Sequence, residues 1–184
     1  MDNNKIIHLY LLNRCTHKCA LCCNKQYDVD KIPVVTVEEL KYADTICFTG
    51  GEPFLLENID DFAGAVKLQY PNITNIYVYT CGDSLLRWMT TDIITYMGMQ
   101  YIDGVNISPK NKYDAECVNK LFSGFLKQNL KGLKSNRVYV FPEVKEYLDT
   151  SLIDLPNTEV IDRTWQEDFK AASGIFRRLP ILLG

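Results

Sequence analysis

The sequence predicts an α/β fold, a partial (βα)6 TIM-like barrel with parallel strands. Six β-branched, apolar segments alternate with segments of helical periodicity, a pattern that favours a parallel sheet with helices outside it. The chain has 184 residues, whereas a closed eightfold barrel usually needs about 250. We therefore expect one domain, with an open six-stranded core at residues 6–164 and a final helix and tail at 165–184.

The six predicted strands are short runs rich in β-branched and aromatic residues, separated by turn or helix signals. In chain order they are Ile6–Leu12, Asp44–Thr49, Asn75–Thr80, Tyr101–Ile107, Arg137–Phe141 and Thr158–Ile161. Ligands of such folds bind at the carboxyl ends of the strands. We therefore expect the functional residues in the loops that follow these strands.

The helices between the strands are predicted from caps and from apolar residues at helical spacing. Thr36 and Glu39 match a capping box and predict a short helix that ends near Ala43. Asn58 is the predicted cap of a helix that ends near Tyr70. Further helices are predicted at 85–97, at 165–172, and on the segment whose apolar face holds Cys117, Val118, Leu121, Phe122 and Phe125.

Composition excludes several classes of protein. The chain is 47% apolar and 23% charged, which is typical of a globular domain rather than a disordered or membrane protein. A net charge of −3 and a pI near 5.4 argue against a broad nucleic-acid-binding face. We expect neither a signal peptide nor a membrane span, because the apolar runs are too short. Four of the seven cysteines lie at positions 15–23, a poor pattern for disulfides, and a cytoplasmic location is expected.

Three cysteines after the first strand are the strongest sign of chemistry. Cys15, Cys19 and Cys22 are spaced four and then three residues apart, so a short loop can bring their sulfurs together. Converging thiolates select zinc, copper(I) or an iron–sulfur cluster, whereas magnesium and calcium prefer oxygen ligands. Ferredoxin-type clusters are usually held by four cysteines, so three leave one position of a four-site cluster open. An open iron indicates a cluster that binds another molecule and reacts with it.

The segment Thr49-Gly50-Gly51-Glu52-Pro53 follows the second predicted strand. Gly50 and Gly51 lack Cβ and therefore permit unusual backbone angles and the close approach of a ligand. The Glu52 carboxylate is available to pair with an ammonium group, and Pro53 ends strand pairing. A plain tight turn would explain the glycines but not the whole segment.

Other residues of chemical interest also have a structural interpretation. We expect His8, Cys47 and Cys117 to be buried packing residues. His17 lies between the cysteines and either faces solvent or hydrogen-bonds the bound group or substrate. Cys81 follows the third strand and either faces the site or lies apart from it, and one isolated cysteine does not make a second cluster.

The C-x3-C-x2-C pattern of Cys15, Cys19 and Cys22, followed by the Gly-Gly-Glu-Pro segment within 48–54, resembles the radical S-adenosylmethionine (radical SAM) superfamily. The resemblance implies a radical SAM core fold and an oxygen-sensitive oxidoreductase. It implies that the three cysteines hold a [4Fe-4S] cluster whose open iron chelates S-adenosyl-L-methionine. Reductive cleavage would then give methionine and a 5′-deoxyadenosyl radical that abstracts hydrogen from substrate. An external electron donor of the flavodoxin or ferredoxin type would supply the electron.

The resemblance further implies contacts with S-adenosyl-L-methionine at the strand ends. Gly50, Gly51 and Glu52 would secure the methionine ammonium. Asn106 and Ser108, at the end of the fourth strand, would bind the ribose hydroxyls. The segment Asp162–Thr164, at the end of the sixth strand, would approach the adenine. Lys110 would meet an anionic substrate or the cofactor carboxylate, or remain solvated. Leu21 departs from the family pattern, which has an aromatic residue before the third cysteine, near the adenine.

Two subgroups of compact enzymes are narrower alternatives. Activases of glycyl-radical enzymes or of anaerobic ribonucleotide reductase act on a backbone glycine of a partner protein. The 7-carboxy-7-deazaguanine synthases are similar through Ser108-Pro109-Lys110, a segment found in some of them. Their Asp-Thr pair after the third cysteine is replaced by Cys23-Asn24, so a magnesium site is not implied.

A noncatalytic zinc-binding module is the alternative from a different class. Structural zinc sites close with four ligands, so His17 or Cys23 would have to join the three cysteines. Because adjacent side chains rarely reach one metal, we predict that Cys23 is a small residue that begins the next helix. The module leaves the segment 50–53 unexplained, and a radical SAM enzyme with an unidentified substrate is the favoured hypothesis.

Overall fold

A computed structural model describes residues 5–19, 22, 28–90, 98–164 and 175–181. Its strands are β1 Ile6–Tyr10, β2 Thr45–Thr49, β3 Asn75–Thr80, β4 Gly104–Ile107, β5 Asn136–Val140, β6 Thr158–Asp162 and β7 Ile175–Arg178. All are parallel, in one open sheet of order β6-β5-β4-β3-β2-β1-β7. The predicted α/β class is therefore confirmed, and the finer description as a partial (βα)6 barrel stays a prediction.

The helices of the described residues lie between the strands. They are α1 Val37–Tyr42, α2 Ile59–Gln69, α3 Asp83–Met89, α4 Lys112–Ser123 and α5 Lys127–Lys131. Shorter 3-10 turns occur at Val29–Lys31, Pro53–Leu55, Pro142–Val144 and Thr150–Leu152. In the part of the chain described, no helix combines the length and apolar character needed to cross a bilayer. The predicted helix at 165–172, the segment 91–97, Leu21 and Cys23 lie outside the described residues.

The capping predictions had different outcomes for α1 and α2. At α1 the Glu39 N–H donates to Thr36 Oγ1 (3.2 Å) and the Thr36 N–H donates to Glu39 Oε2 (3.0 Å), which confirms the capping box. At α2 Asn58 occupies the predicted N-cap position, but its side chain makes no cap hydrogen bond. The acidic residues Asp60 and Asp61 occupy the first turn of α2, where the helix dipole favours negative charge.

The seventh strand corrects the prediction of a six-stranded core. Residues 175–178 belong to the predicted tail, yet they pair in parallel with β1, with Ile7 opposite Ile175. The sequence of β7 ends in two arginines and lacks the apolar alternation of a buried strand. Arg177 forms an ion pair with Glu39 (2.6 Å), and Arg178 donates from Nε to the Ile32 carbonyl (3.1 Å). An edge strand keeps such polar contacts within reach of solvent, which is why β7 tolerates them.

The start of β4 is later than predicted because a carboxylate holds the residues before it. Asp60 on α2 is buried, and its two oxygens accept the N–H groups of Gln100 (2.9 Å), Tyr101 (3.0 Å) and Ile102 (3.0 Å). These amides therefore point to α2 and not to a neighbouring strand. Ladder pairing begins at Gly104, where a Cβ would lie 1.7 Å from the Ser135 carbonyl oxygen.

The core lies on both faces of the sheet, as the apolar strands predicted. Cys47 and Cys117 are buried, which confirms their packing roles. His8 is also buried, with its ring centroid 6.0 Å from that of Tyr79. Phe125 was predicted on the buried face of α4, but α4 ends at Ser123 and Phe125 is exposed.

Replacing Asp60 with Asn should lower the free energy of unfolding by about 2 kcal/mol, because an amide cannot accept at both positions and leaves a buried N–H unpaired. Urea denaturation measures the change. Asp61 is the exposed neighbour on the same helix, and Asp61→Asn should change stability by less than about 0.5 kcal/mol. Equal stabilities of the two variants would contradict this role of Asp60.

Candidate functional site

The candidate site lies at the carboxyl ends of β1 to β4. We call residues 13–19 together with Cys22 the cysteine loop, and residues 50–53 the glycine turn. The cysteine loop follows β1, the glycine turn follows β2, Cys81 follows β3, and Ser108 follows β4. Because these strands are parallel and adjacent in the sheet, the four segments meet at one edge.

The glycine turn packs directly on the start of the cysteine loop. The Leu11 N–H donates to the Thr49 carbonyl and the Glu52 N–H donates to the Arg14 carbonyl, both at 2.9 Å. Gly51 has a φ of +51°, and a Cβ there would lie 2.1 Å from the Arg14 carbonyl oxygen. From the sequence, the glycines are expected to permit the close approach of a ligand. The structure adds that this turn cannot pack against the cysteine loop with any larger residue.

Glu52 is a buried carboxylate that links β2 to β3. Its Oε2 accepts the Cys81 N–H (3.0 Å) and its Oε1 accepts the Phe54 N–H (3.3 Å), so it also caps the turn Pro53–Leu55. Burial raises the pKa of Glu52, and the hydrogen bonds from Cys81, Thr80 and Phe54 oppose that rise. These donors from two neighbouring loops hold the carboxylate in one orientation at the strand ends.

The three cysteines of the loop are reduced thiols that influence one another. Cys15 is exposed, and Cys19 and Cys22 are half-buried. Burial, followed by the charges of Cys22, Asp114 and Cys15, raises the pKa of Cys19 to about 11, and Lys110 opposes the rise. Burial also raises the pKa of Cys15, although the His17 N–H donates to its sulfur (3.4 Å). The three thiols therefore share one electrostatic environment.

The spacing of these sulfurs is a test of which group they could hold. Among the described residues, one group of potential ligand atoms lies mutually within 4.8 Å, namely His17, Cys81 and Asp114; the three loop sulfurs do not form such a group. A single zinc ion, with Zn–S distances of about 2.3 Å, would bring its sulfurs within about 4 Å of one another. An iron–sulfur cluster binds each cysteine through a different iron and so spaces them more widely. The donor set, three thiols from one short loop, fits the three protein-held corners of such a cluster.

His17 is not a solvent-facing residue, so that alternative in the sequence analysis was wrong. Its Nε2 lies 2.8 Å from Asp114 Oδ1, and its Nδ1 lies 2.9 Å from Thr16 Oγ1 and 3.7 Å from Cys81 Sγ. Cys81 is buried and faces the site, as one of its two interpretations held. Sequence reasoning missed Asp114, whose one local signal is its position three residues after the helix cap Asn111.

The end of β4 brings Asn106, Ser108 and Lys110 to the same edge. Asn106 is buried, and Ser108 is half-buried with its N–H donating to the Thr80 carbonyl (2.8 Å). Lys110 donates from Nζ to Ser108 Oγ (2.8 Å) and lies over the Phe141 ring at 3.9 Å from its centroid. Lys110 is therefore a partly buried cation beside the cysteine loop and not a solvated surface lysine.

The segment 162–164, predicted to approach an adenine, follows β6 near one edge of the sheet. Asp162 is exposed and pairs with Lys145 (3.2 Å). Arg163 lies over the Tyr139 ring, 4.4 Å from its centroid. The approach of the segment 162–164 to an adenine stays a prediction.

Comparisons with known proteins give little further information. No protein-family model matches the chain, and no curated protein matches it. Among solved structures it is similar to the crystal structure of BtrN in complex with AdoMet and 2-DOIA, with 16% sequence identity and a TM-score of 0.38. The match covers 86% of this chain and 56% of that one, so this chain spans little more than half of its neighbour's length. At this TM-score the likeness carries no weight for function.

Replacing Gly51 with Ala should lower the free energy of unfolding by about 3 kcal/mol or more, because the new Cβ meets a backbone carbonyl at a left-handed residue. Chemical denaturation measures the loss. Gly132 has a φ of −70° and its nearest Cβ contact would be at 3.4 Å, so Gly132→Ala should change stability by less than about 1 kcal/mol. A tolerated Gly51→Ala would contradict the packing described above.

The stability of the protein should depend on pH through Glu52. Its raised native pKa means that the neutral carboxyl stabilises the fold fully below the ordinary value of 4.5, and that this contribution is lost as the pH rises through the native pKa. Glu52→Gln does not titrate, so its free energy of unfolding relative to wild type should increase as the pH rises from about 4.5 through the raised native pKa of Glu52. Denaturation at a series of pH values measures this difference. Glu57 is exposed, and Glu57→Gln should show no such trend.

Proposed function

We propose that this chain is a radical SAM enzyme, in which Cys15, Cys19 and Cys22 hold a [4Fe-4S] cluster that binds S-adenosyl-L-methionine. The observation that carries the proposal is the packing of the glycine turn on the cysteine loop at the carboxyl edge of a parallel sheet. Both segments were singled out from the sequence and lie far apart in it, yet the Glu52 N–H donates to the Arg14 carbonyl and joins them, next to the bond from Leu11 to Thr49.

When bound, the cluster and S-adenosyl-L-methionine supply one-electron cleavage of the sulfonium bond and a 5′-deoxyadenosyl radical that abstracts hydrogen from substrate. The protein supplies binding, orientation and exclusion of competing reactions. An external donor of the flavodoxin or ferredoxin type would supply the electron.

The residues around the cysteine loop suit a ligand that carries an ammonium group and hydroxyls. Glu52 and the backbone of Gly50 and Gly51 would receive the methionine ammonium, since Glu52 is the buried carboxylate of the glycine turn. Ser108, with Asn106, would bind the ribose hydroxyls. Lys110 would pair with a carboxylate of the cofactor or of the substrate, because its ammonium is held at this edge by Ser108 and Phe141.

The substrate remains unidentified in this proposal, and two subgroups are compatible with it. An activase would present the site to a glycine of a partner protein, whereas a 7-carboxy-7-deazaguanine synthase would bind a small molecule beside Lys110. Co-purification of a large glycyl-radical protein would favour the activase.

A noncatalytic zinc-binding module is the second candidate function. The group His17, Cys81 and Asp114 favours it, because its ligand atoms lie within 4.8 Å of one another. Two observations weigh against it. The cysteine sulfurs do not form such a group among the described residues, and His17 bonds to Asp114 rather than joining the thiols. Metal analysis separates the candidates, since iron with sulfide supports the enzyme and zinc without a chromophore supports the module.

Replacing Cys19 with Ala should abolish both cluster assembly and cleavage of S-adenosyl-L-methionine, because one of three cluster ligands is lost. The assay is anaerobic reconstitution with iron and sulfide, reduction with dithionite, and quantification of 5′-deoxyadenosine. Cys117→Ala is the matched control; it removes a buried thiol of α4 and should keep both properties, at a stability cost of about 1 kcal/mol. Intact cleavage in Cys19→Ala would rule out the proposed ligand set.

A further inference from the structure

We propose that Asp114 and His17 are positioning residues of the cysteine loop: Asp114 holds the His17 imidazole, and His17 in turn presents its backbone N–H to the Cys15 sulfur. The inference rests on the proposed function, since it assigns these residues to the loop that would hold the cluster. They act through Cys15 and are not ligands themselves.

Asp114 is a rigid anchor because its own helix holds it. It is fully buried in the first turn of α4, and its N–H donates to Asn111 Oδ1 (2.9 Å). Its Oδ2 accepts the Lys110 N–H (2.9 Å) and Asn111 Nδ2 (3.2 Å). Its Oδ1 lies 2.8 Å from His17 Nε2. One carboxylate therefore joins the loop after β4 to the loop after β1.

The contacts of the imidazole define which nitrogen carries the proton. Asp114 as a carboxylate can only accept, so His17 donates from Nε2. Its Nδ1 is then the acceptor, which receives the Thr16 hydroxyl at 2.9 Å and faces Cys81 Sγ at 3.7 Å. The ring is thus held from α4, from its own loop and from the end of β3.

The ligand atoms of His17, Cys81 and Asp114 lie within 4.8 Å of one another, yet their contacts are complete as a hydrogen-bonded chain without an ion. The imidazole lies between its two partners, with Nε2 toward Asp114 and Nδ1 toward Cys81. Because a different ring nitrogen contacts each partner, we interpret the group as a hydrogen-bonded chain.

The backbone of His17 connects this chain to the first cysteine. Its N–H donates to Cys15 Sγ at 3.4 Å. Hydrogen bonds to cluster sulfurs favour the more negative, reduced state and so raise the reduction potential. If the imidazole loses its anchor, the loop gains freedom and the N–H is no longer held toward the sulfur. We therefore expect a lower potential without Asp114 or His17.

The test compares His17→Ala, Asp114→Asn, their double variant and Asp60→Asn. Asp60 is the matched control, because it is also a buried carboxylate that ties a loop by backbone N–H groups, on the helix α2. The first readout is the midpoint potential of the reconstituted cluster, which electron paramagnetic resonance monitors. The second is amide hydrogen exchange of residues 13–19 in the metal-free protein.

Both single variants should lower the midpoint potential by similar amounts, and the double variant should lower it no further, because the residues act as one unit. Exchange of residues 13–19 should become about tenfold faster in each, equivalent to about 1.4 kcal/mol of local opening. Asp60→Asn should change neither quantity.

Wild-type potentials in both single variants would overturn the inference, as would a shift of equal size in Asp60→Asn. If the wild-type protein assembles no iron–sulfur cluster, the proposed function fails, and the positioning role is then tested by hydrogen exchange alone. Faster exchange of residues 13–19 in both single variants supports that role, and unchanged exchange overturns it. Binding of one cobalt(II) ion per chain to a variant lacking Cys15, Cys19 and Cys22, with loss of that ion in Cys81→Ala, would overturn it in favour of a metal site.

Discussion

The contact between the glycine turn and the Arg14 carbonyl is the constraint on which the candidate site depends. The hydrogen bond from the Leu11 N–H to the Thr49 carbonyl extends the pairing of β1 and β2 one residue past the end of β1. The bond from the Glu52 N–H to the Arg14 carbonyl then joins the two loops that follow these strands. This approach is possible because Gly51 has no Cβ. The cysteine loop consequently leaves β1 in a fixed register with the glycine turn, whatever the conformation of its later residues.

Buried carboxylates organise the loops and also determine what the site can bind. Glu52 links the ends of β2 and β3, and Asp114 links α4 to the cysteine loop. Burial raises the pKa values of Cys15 and Cys19; the charges of Glu52 and Asp114 add to the rise at Cys15, and that of Asp114 adds to it at Cys19. Metal binding must displace the thiol protons. An acidic site with three thiols favours a cationic occupant, and Lys110 is the cation that partly balances it.

The order of the sheet explains how the first strand can support such a loop. With β7 on its outer side, β1 is an interior strand, hydrogen-bonded on both sides. The Arg177–Glu39 ion pair joins β7 to α1, and Val35 donates to the Arg178 carbonyl (2.9 Å), so the segment before α1 is attached to the same edge. The strand that carries the cysteine loop is therefore restrained on its outer side by residues more than 160 positions later in the chain.

The sequence by itself determined the α/β class and the six strands β1 to β6, and it singled out the cysteine loop and the glycine turn as candidate site segments. These follow from local features: strand and helix periodicity, the spacing of three cysteines, and a glycine segment at a strand end. The tertiary structure decided the role of β7, because a strand with two arginines becomes recognisable once its partner β1 is known. It also decided the environment of His17, whose partner Asp114 lies 97 residues away. Such contacts depend on which strand ends become neighbours in the sheet, and no local pattern of residues encodes that order.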